Sequence, residues 1–292
     1  MNHDAQIYHQ SVLLTQALEQ LGIRPGGSYI DCTLGDGGHT LAMLDASAPD
    51  GRLLGLDADP EAVAACRSRL APYGGRAVVA QTNFADLEPV AIANGFAPVQ
   101  GIFFDLGLSS RQLDAEERGF SFRRPDPLDM RFDPSEGTPA AELVNHMDEQ
   151  ALANLIYRLG EEHRSRRIAR GIVANRPIDT ALQLAEVVRR AAGYRRSRTH
   201  PATRTFQALR MGVNREMENL EVALGASLAL LEQNGRLVTI AYHSLEDRLI
   251  KTFIAAAARL RPIVKRVIKP DQEEIRRNPR SRSARLRVAE LV

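Results

Sequence analysis

Four short runs that are apolar along their length, rather than on alternate residues, recur through the first third of the chain: Tyr29–Leu34 (YIDCTL), Arg52–Asp57 (RLLGLD), Ala77–Ala80 (AVVA) and Gly101–Leu106 (GIFFDL). A strand with one wet face alternates, whereas a strand covered on both faces does not. Helical stretches separate the runs, with Leu41–Ala46 after the first and Pro60–Leu70, opened by a proline, after the second. This alternation predicts an α/β fold, Rossmann-like, with a doubly wound and mostly parallel sheet.

The pattern then breaks. Residues 109–139 are rich in Arg, Asp, Pro and Phe and have no clean period. Helical patterns follow over Glu149–Leu159, Glu162–Asn175 and Thr180–Ala192, then one long helix over roughly Thr203–Leu231. Strand character returns at Arg236–Tyr242 (RLVTIAY), before a helix from Glu246 to about Ala258. Ile263–Ile268 and Ala284–Leu291 read as a C-terminal antiparallel hairpin, with a basic, turn-rich segment between them. The economical organisation is one α/β domain, residues 1–110 and 203–292, interrupted by an inserted all-helical domain at 111–202. The break follows the fourth strand, and strand C-termini are where such folds build their sites.

Composition narrows the function. No run of about 18 uncharged apolar residues exists, so no membrane span is expected. Met1–Leu14 has no basic stretch followed by a long apolar one, so it does not read as a signal peptide. Two distant cysteines, Cys32 and Cys66, form no metal-ligand cluster, which points to a cytoplasmic protein with reduced thiols and no metal. The net charge of +2 conceals an asymmetry: residues 1–150 hold 10 Arg and 22 acids, residues 151–292 hold 28 Lys or Arg and 14 acids. A basic half rich in Arg suits a polyanion, the alternative being solvated helix faces and a general bias toward arginine.

The first strand runs into Asp31-Cys32-Thr33-Leu34-Gly35-Asp36-Gly37-Gly38-His39. Glycines at a strand-to-helix turn let the backbone approach a ligand, and Asp57, ending the second strand, is placed to accept from ribose hydroxyls. The plainer alternative is a tight turn and a strand-end Asp. A phosphate loop would need Lys-Ser/Thr where His39-Thr40 stands. Asp31 and Asp36 put negative charge where a pyrophosphate would lie, and a dinucleotide turn would want a residue smaller than Thr40. S-adenosylmethionine (SAM) carries no phosphate, and its sulfonium and ammonium groups suit carboxylates. Asp105, ending the fourth strand, can bind the cofactor or accept a hydrogen bond from a substrate amine; otherwise it is a cap or loop anchor.

Nine segments, in order and over nearly the whole chain, then become specific: HQSVLL (9–14), GDGGHT (35–40), DADP (57–60), FFDLGLSSRQLDAEERGFSF (103–122), PLDMRFD (127–133), GEEHRSRRIAR (160–170), HPATRTFQALRMGVN (200–214), HSLEDR (243–248) and NPRSRSARLR (278–287). On these the sequence resembles the RsmH/MraW family of bacterial 16S ribosomal RNA cytosine-N4 methyltransferases. HSLEDR and HPATRTFQ discriminate; GDGGH alone is weak. The Pro-Pro-aromatic sequence of many DNA amino-methyltransferases is absent after Asp105, and the stretch between the Glu246 helix and Asn278 is shorter than the family's.

The resemblance implies a SAM-dependent methyltransferase fold with a helical insertion that recognises RNA. It implies SAM contacts at Gly37, Gly38, His39, Asp57, Phe84, Asp105 and Gln112. The substrate would be a cytidine N4 at the ribosomal P site in 16S rRNA of the small subunit, and the protein a monomer or dimer. Asp105 is the first candidate to accept from the reacting amine, with Ser109 and Ser110 near it, and His243 and Asp247 follow. Phe120, Phe122, Arg123 and Arg124 form a lid or stacking surface, or else core and solvated charge. Arg164–Arg170, Arg195–Arg204 and Arg276–Arg287 are candidate phosphate contacts. Asn214 faces the substrate or packs between helices. A methyltransferase for another base or for DNA, and an RNA-binding assembly factor without catalysis, are the competing classes.

Overall fold

In the computed structural model, which describes residues 11–193 and 200–292, the four apolar runs are parallel neighbours in one sheet. The strands are β1 (Ser28–Asp31), β2 (Arg52–Asp57), β3 (Ala77–Gln81), β4 (Val99–Asp105), β5 (Leu231–Ala241), β6 (Leu260–Pro262) and β7 (Arg285–Leu291). Their order is β3-β2-β1-β4-β5-β7-β6, with β7 antiparallel to both neighbours. This is a Rossmann-like, mostly parallel sheet with an antiparallel C-terminal end.

Alternate residues of each strand enter two different cores. Ile30, Leu54, Phe104 and Leu237 pack on one face; Tyr29, Leu53, Phe103 and Val238 pack on the other, all at most 1% exposed. Both faces are therefore dry, which is why the runs do not alternate in polarity. Burying such a side chain contributes about 1.5–3 kcal/mol. The helix after β2, Pro60–Leu70, starts where Asp59 accepts the Glu61 N–H at 3.0 Å and Pro60 supplies a pre-set φ.

The chain divides into two compact units: the described residues up to Ser110 with Asn219–Val292, and Arg111–Glu218. The return to the first unit comes at Asn219, later than the expected residue 203. The reason is packing: helix Thr203–Val213 lies against helix Glu149–Gly160, where a Cβ on Gly160 would fall 2.5 Å from the Arg204 carbonyl oxygen. The single helix expected over 203–231 is likewise two, Thr203–Val213 and Glu216–Leu230, with Arg215 at φ 48° between them. Arg210 clasps Glu216 across the break through two bonds of 2.7 and 2.8 Å.

In the second unit, helices Glu149–Gly160, Ser165–Ala174 and Ala181–Ala192 bury one stripe each. Asp148 caps the first, and Thr180 with Gln183 forms a capping box on the third. The irregular stretch before them is held by polar clamps. Arg118 donates to the Arg131 and Phe132 carbonyls, and Asn214 bonds the Met130 carbonyl and the Phe132 N–H.

The C-terminal hairpin is shifted from its expected bounds. Its first strand is Leu260–Pro262, not Ile263–Ile268; of the latter, Ile263 donates once to Val288 and Ile268 forms an isolated bridge with Leu286. Pro262 has no N–H to continue the ladder, and Ile263, Lys265 and Arg266 beyond it are exposed. The segment expected as turns contains helix Gln272–Arg277, capped by Asp271.

Candidate cofactor and active site

β1, β2 and β4 end in Asp31, Asp57 and Asp105. β1 and β4 are adjacent, and the order of connection reverses between them, so all three carboxylates gather at the switch point of the sheet.

Asp31 is buried and spoken for. Its Oδ1 accepts the Thr33 N–H at 3.1 Å, and its Oδ2 accepts the Thr40 hydroxyl at 2.7 Å. Thr40, too bulky for a dinucleotide turn, is thus the donor that makes a buried Asp31 tolerable. The turn that follows is closed by Asp57, whose Oδ2 accepts the Gly35 N–H at 2.8 Å and whose Oδ1 accepts the Asp59 N–H at 2.9 Å. A carboxylate oxygen accepts more than one bond, so both retain capacity for ribose hydroxyls.

Gly37 sits at φ 76°, and a Cβ there would lie 2.9 Å from Cys66 Sγ; one on Gly38 would lie 2.1 Å from Ser11 Oγ. Glycine is required at Gly37 by its positive φ, and at Gly38 a side chain would only have to displace the Ser11 hydroxyl; both open helix Gly38–Ala46. A Cβ on Gly35 would meet nothing closer than 3.8 Å, at Ser109 Cβ and Thr33 O. Gly35, at φ 50°, therefore leaves the open notch, with Ser109 on its rim. Cys66 donates its thiol to the Gly35 carbonyl, and burial pushes its pKa up to about 12. It is a packing residue, free and buried like Cys32.

Asp105 receives the Tyr242 hydroxyl on Oδ1 at 2.8 Å, and its own N–H is held by Thr33 Oγ1 at 2.6 Å. Its Oδ2 lies 3.7 Å from His39 Nδ1. The His39 ring is 7% exposed, tilted against Phe103, with Nε2 3.1 Å from the Val12 carbonyl. That carbonyl assigns the proton to Nε2 and leaves a lone pair on Nδ1. Burial lowers the His39 pKa to about 4, so the ring is neutral near pH 7.

The other expected site residues are spread more widely. Phe84 follows β3 and stands edge-on to Phe104 at 5.9 Å, half-buried at the β3 side of the site. Gln112 is buried on the short helix Ser110–Asp114, within the second unit. Ser110 Oγ is bonded by Arg280. His243 caps helix Ser244–Ala256, its Nδ1 accepting the Glu246 N–H at 3.4 Å, while its buried Nε2 lies 2.9 Å from Glu246 Oε1 without making a hydrogen bond. Asp247 is a structural anchor, bound by Arg287 at 2.7 Å and Arg285 at 3.0 Å. Burial opposes its charge, but the Arg287 and then Arg285 contacts prevail and pull its pKa down.

Of the two readings open for 120–124, the structure shows core packing for Phe120, which is buried, while Phe122 is half-buried against the exposed His200. Phe120 stacks on Phe132 at 6.0 Å, and Phe122 packs on His200 and Phe206 at 4.7 and 5.2 Å. Arg124 holds the Asp114 and Ala115 carbonyls, while Arg123 is exposed. Asn214, half-buried, ties the irregular stretch at Met130 and Phe132 to the end of helix Thr203–Val213 and does not pack between helices. Among the basic stretches, Arg166, Arg167, Arg170, Arg276, Arg277, Arg280 and Arg282 are exposed; Arg195–Arg198, like His9 and Gln10, lie outside the described residues.

Two residues escaped the sequence reading. Gly35 lay inside GDGGH but was passed over for the later glycines. Tyr242 closes RLVTIAY, where it read as strand.

The electrostatics of this end define what it accepts. Burial, first of all, pushes Asp31 and Asp57 up to about 6 and Asp105 up to about 7. Asp31 further raises both others, Glu246 raises Asp105, and hydrogen bonds oppose the shift; among the described residues no cationic side chain does. Among the described residues the three carboxylates have no cationic partner, the nearest guanidinium at the turn, Arg69, being bonded to the Asp36 carbonyl. SAM fits that deficit: Asp57 suits its ribose, Phe84 its adenine, and Asp105 its cationic end. Among the described residues no cluster of His, Cys, Asp or Glu could hold a metal ion, and no helix is long and apolar enough to cross a membrane.

Comparison with known proteins agrees with this geometry. The chain is 52% identical to the ribosomal RNA small subunit methyltransferase H of Thermomicrobium roseum, over 97% of this chain and 94% of that protein. It is 49% identical to the protein of the same name from Dehalococcoides mccartyi, over 97% and 86%. A solved structure assigned as an rRNA-methylase, from Clostridium thermocellum, superposes with a TM-score of 0.50 at 13% identity, covering 97% of this chain and all of that one, and so shares the fold. The description of the MraW methylases matches residues 6–292, and the chain belongs to the MraW methylase family.

Proposed function

We propose that the protein transfers a methyl group from SAM to the exocyclic N4 of a cytidine in the decoding region, at the P site, of 16S rRNA in the small ribosomal subunit. The observation that carries the chemistry is Asp105: a strand-end carboxylate in a cation-seeking site, with one oxygen engaged by Tyr242 and the other available as an acceptor. Small-subunit ribosomal RNA as the target follows the name of the relatives at 49 and 52% identity, and the P-site cytidine and its N4 follow the family resemblance.

SAM, when bound, supplies a methyl group on a sulfonium leaving group. The cytosine amine is a weak nucleophile, because its lone pair is delocalised into the ring. Holding it in line is worth up to about 7–11 kcal/mol. Asp105 accepts an N4–H bond and takes that proton as the N–C bond forms and the C–S bond breaks, its electron pair passing to sulfur. Gly37, Gly38, His39, Asp57, Phe84, Asp105 and Gln112 hold the cofactor, with Gly35 added to that set. Ser109 and His243 flank the reacting group.

The helical unit is the RNA-recognising part of this proposal, and the target base leaves its stack to react. The exposed arginines of helices Ser165–Ala174 and Gln272–Arg277 and of the segment after the latter suit phosphates; binding would weaken steeply with salt. Such an enzyme works in the cytoplasm.

The test is labelled SAM with small subunits that lack the modification, followed by nucleoside mass spectrometry. Labelled N4-methylcytidine is the expected product. Label on another nucleoside overturns the base assignment, and SAM binding with no label favours a non-catalytic assembly role.

A further inference from the structure

Tyr242 directly follows β5, beside the end of β4, where Leu106 N–H bonds the Ile240 carbonyl at 2.9 Å. A Cβ on Gly107 would lie 3.4 Å from Tyr242 Cδ2, and the tyrosine's backbone N–H donates to Glu246 Oε2 at 3.1 Å. Its hydroxyl reaches Asp105 Oδ1 at 2.8 Å.

We propose that Tyr242 is a positioning residue for methyl transfer: its hydroxyl occupies Oδ1 of Asp105 and so makes Oδ2 the more basic oxygen, the one that accepts the proton of the substrate amine. This rests on the role given to Asp105 above. A phenol is suited to the task because it donates without carrying charge. Burial, and then the Asp105 charge, raise its pKa well above the ordinary value, so the proton stays on the phenol. The groups that face Asp105 are few. His39 presents a lone pair, Asp31 and Glu246 add negative charge, and Thr33 holds its backbone. Tyr242 is the one side-chain donor bonded to the carboxylate among the described residues. Without it, every remaining influence favours the protonated acid, which cannot accept.

The experiment compares Tyr242→Phe and Asp105→Ala with the wild type, using SAM titration calorimetry and steady-state methyl transfer to small subunits from pH 5.5 to 9. Tyr242→Phe keeps the ring and its packing. At pH 9, where Asp105 is ionised in both proteins, it is expected to bind SAM within about twofold of wild type and leave KM for the subunit unchanged. Its kcat should fall about tenfold near neutral pH, with the acid limb of the kcat profile moved up by about one unit, as losing a hydrogen bond to a charged group implies. An unchanged pH profile and kcat, with Asp105→Ala inactive, overturns the role of Tyr242 alone. A loss of SAM affinity at pH 9 as large as the loss of rate near neutral pH also overturns it, by making Tyr242 a structural residue. Full activity in Asp105→Ala instead removes the reading of Asp105 on which it rests.

Discussion

Glu274 accepts a 2.7 Å hydrogen bond from the backbone N–H of Leu13, 261 residues away in sequence. Leu13 sits at φ 53°, and the carbonyl one residue earlier, on Val12, receives His39 Nε2. One strained dipeptide thus ties the C-terminal helix Gln272–Arg277 to the ring that stands beside Asp105.

Replacing Glu274 by Ala leaves that N–H unpaired in a buried setting and should cost about 1.5–3 kcal/mol, the range for a hydrogen bond to a charged group. Urea unfolding of Glu274→Ala and Glu274→Gln measures it. The Gln variant, which keeps an acceptor oxygen, should recover a large part of the loss; equal losses would mean that charge, not the hydrogen bond, matters.

Asp57→Ala should weaken SAM binding and stability together. Beyond its proposed ribose contacts, Asp57 satisfies the Gly35 and Asp59 N–H groups. Each amide left unpaired costs about 1–3 kcal/mol. Calorimetry with SAM, done beside an unfolding curve, separates the two effects. Unchanged SAM affinity would remove the ribose assignment.

SAM affinity should fall as pH drops from 7.5 to 5.5. Asp57 titrates at about 6 and Asp105 at about 7, so acid neutralises the carboxylates that attract a cation. Binding should release protons, seen as a buffer-dependent enthalpy, and Asp105→Asn should flatten the slope. The stability sign agrees. In the cofactor-free protein, carboxylates raised by folding hold more protons folded than unfolded. Their contribution is complete below the unfolded value near 4 and is lost as pH rises through about 6–7. A pH-independent SAM affinity would contradict the electrostatic account of the site.

Asp247→Ala should destabilise without slowing the chemistry. The residue joins helix Ser244–Ala256 to β7 through Arg285 and Arg287, in a partly buried cluster. Thermal melting should register the loss, while kcat per folded molecule at low temperature stays near wild type. A selective loss of kcat would return Asp247 to the reacting groups.

Much of the fold was legible in order. The runs at 29–34, 52–57, 77–80 and 101–106 lie in or overlap the four parallel strands, because burial on both faces leaves a signature in every residue. The strand-end aspartates and the glycine turn were legible for a related reason: a parallel sheet puts its strand C-termini at one end, so short motifs there converge. Boundaries set by long-range packing were not. Nothing local distinguishes helix Thr203–Val213 as part of the second unit; its contact with helix Glu149–Gly160 decides that. Nor does Ile263–Ile268 show that Pro262 will already have ended the strand.

The sequence by itself determined the sheet, the family and the acidic character of the strand ends, since these rest on local pattern and residue type. Tertiary structure alone decided the partners of each polar group. Tyr242 meets Asp105 across 137 residues, Thr40 satisfies Asp31, Arg287 neutralises Asp247, and Phe120 turns into the core. A hydrogen bond or an ion pair depends on distance and direction in space. Only the folded chain sets which oxygen of Asp105 is occupied and how far burial raises its pKa.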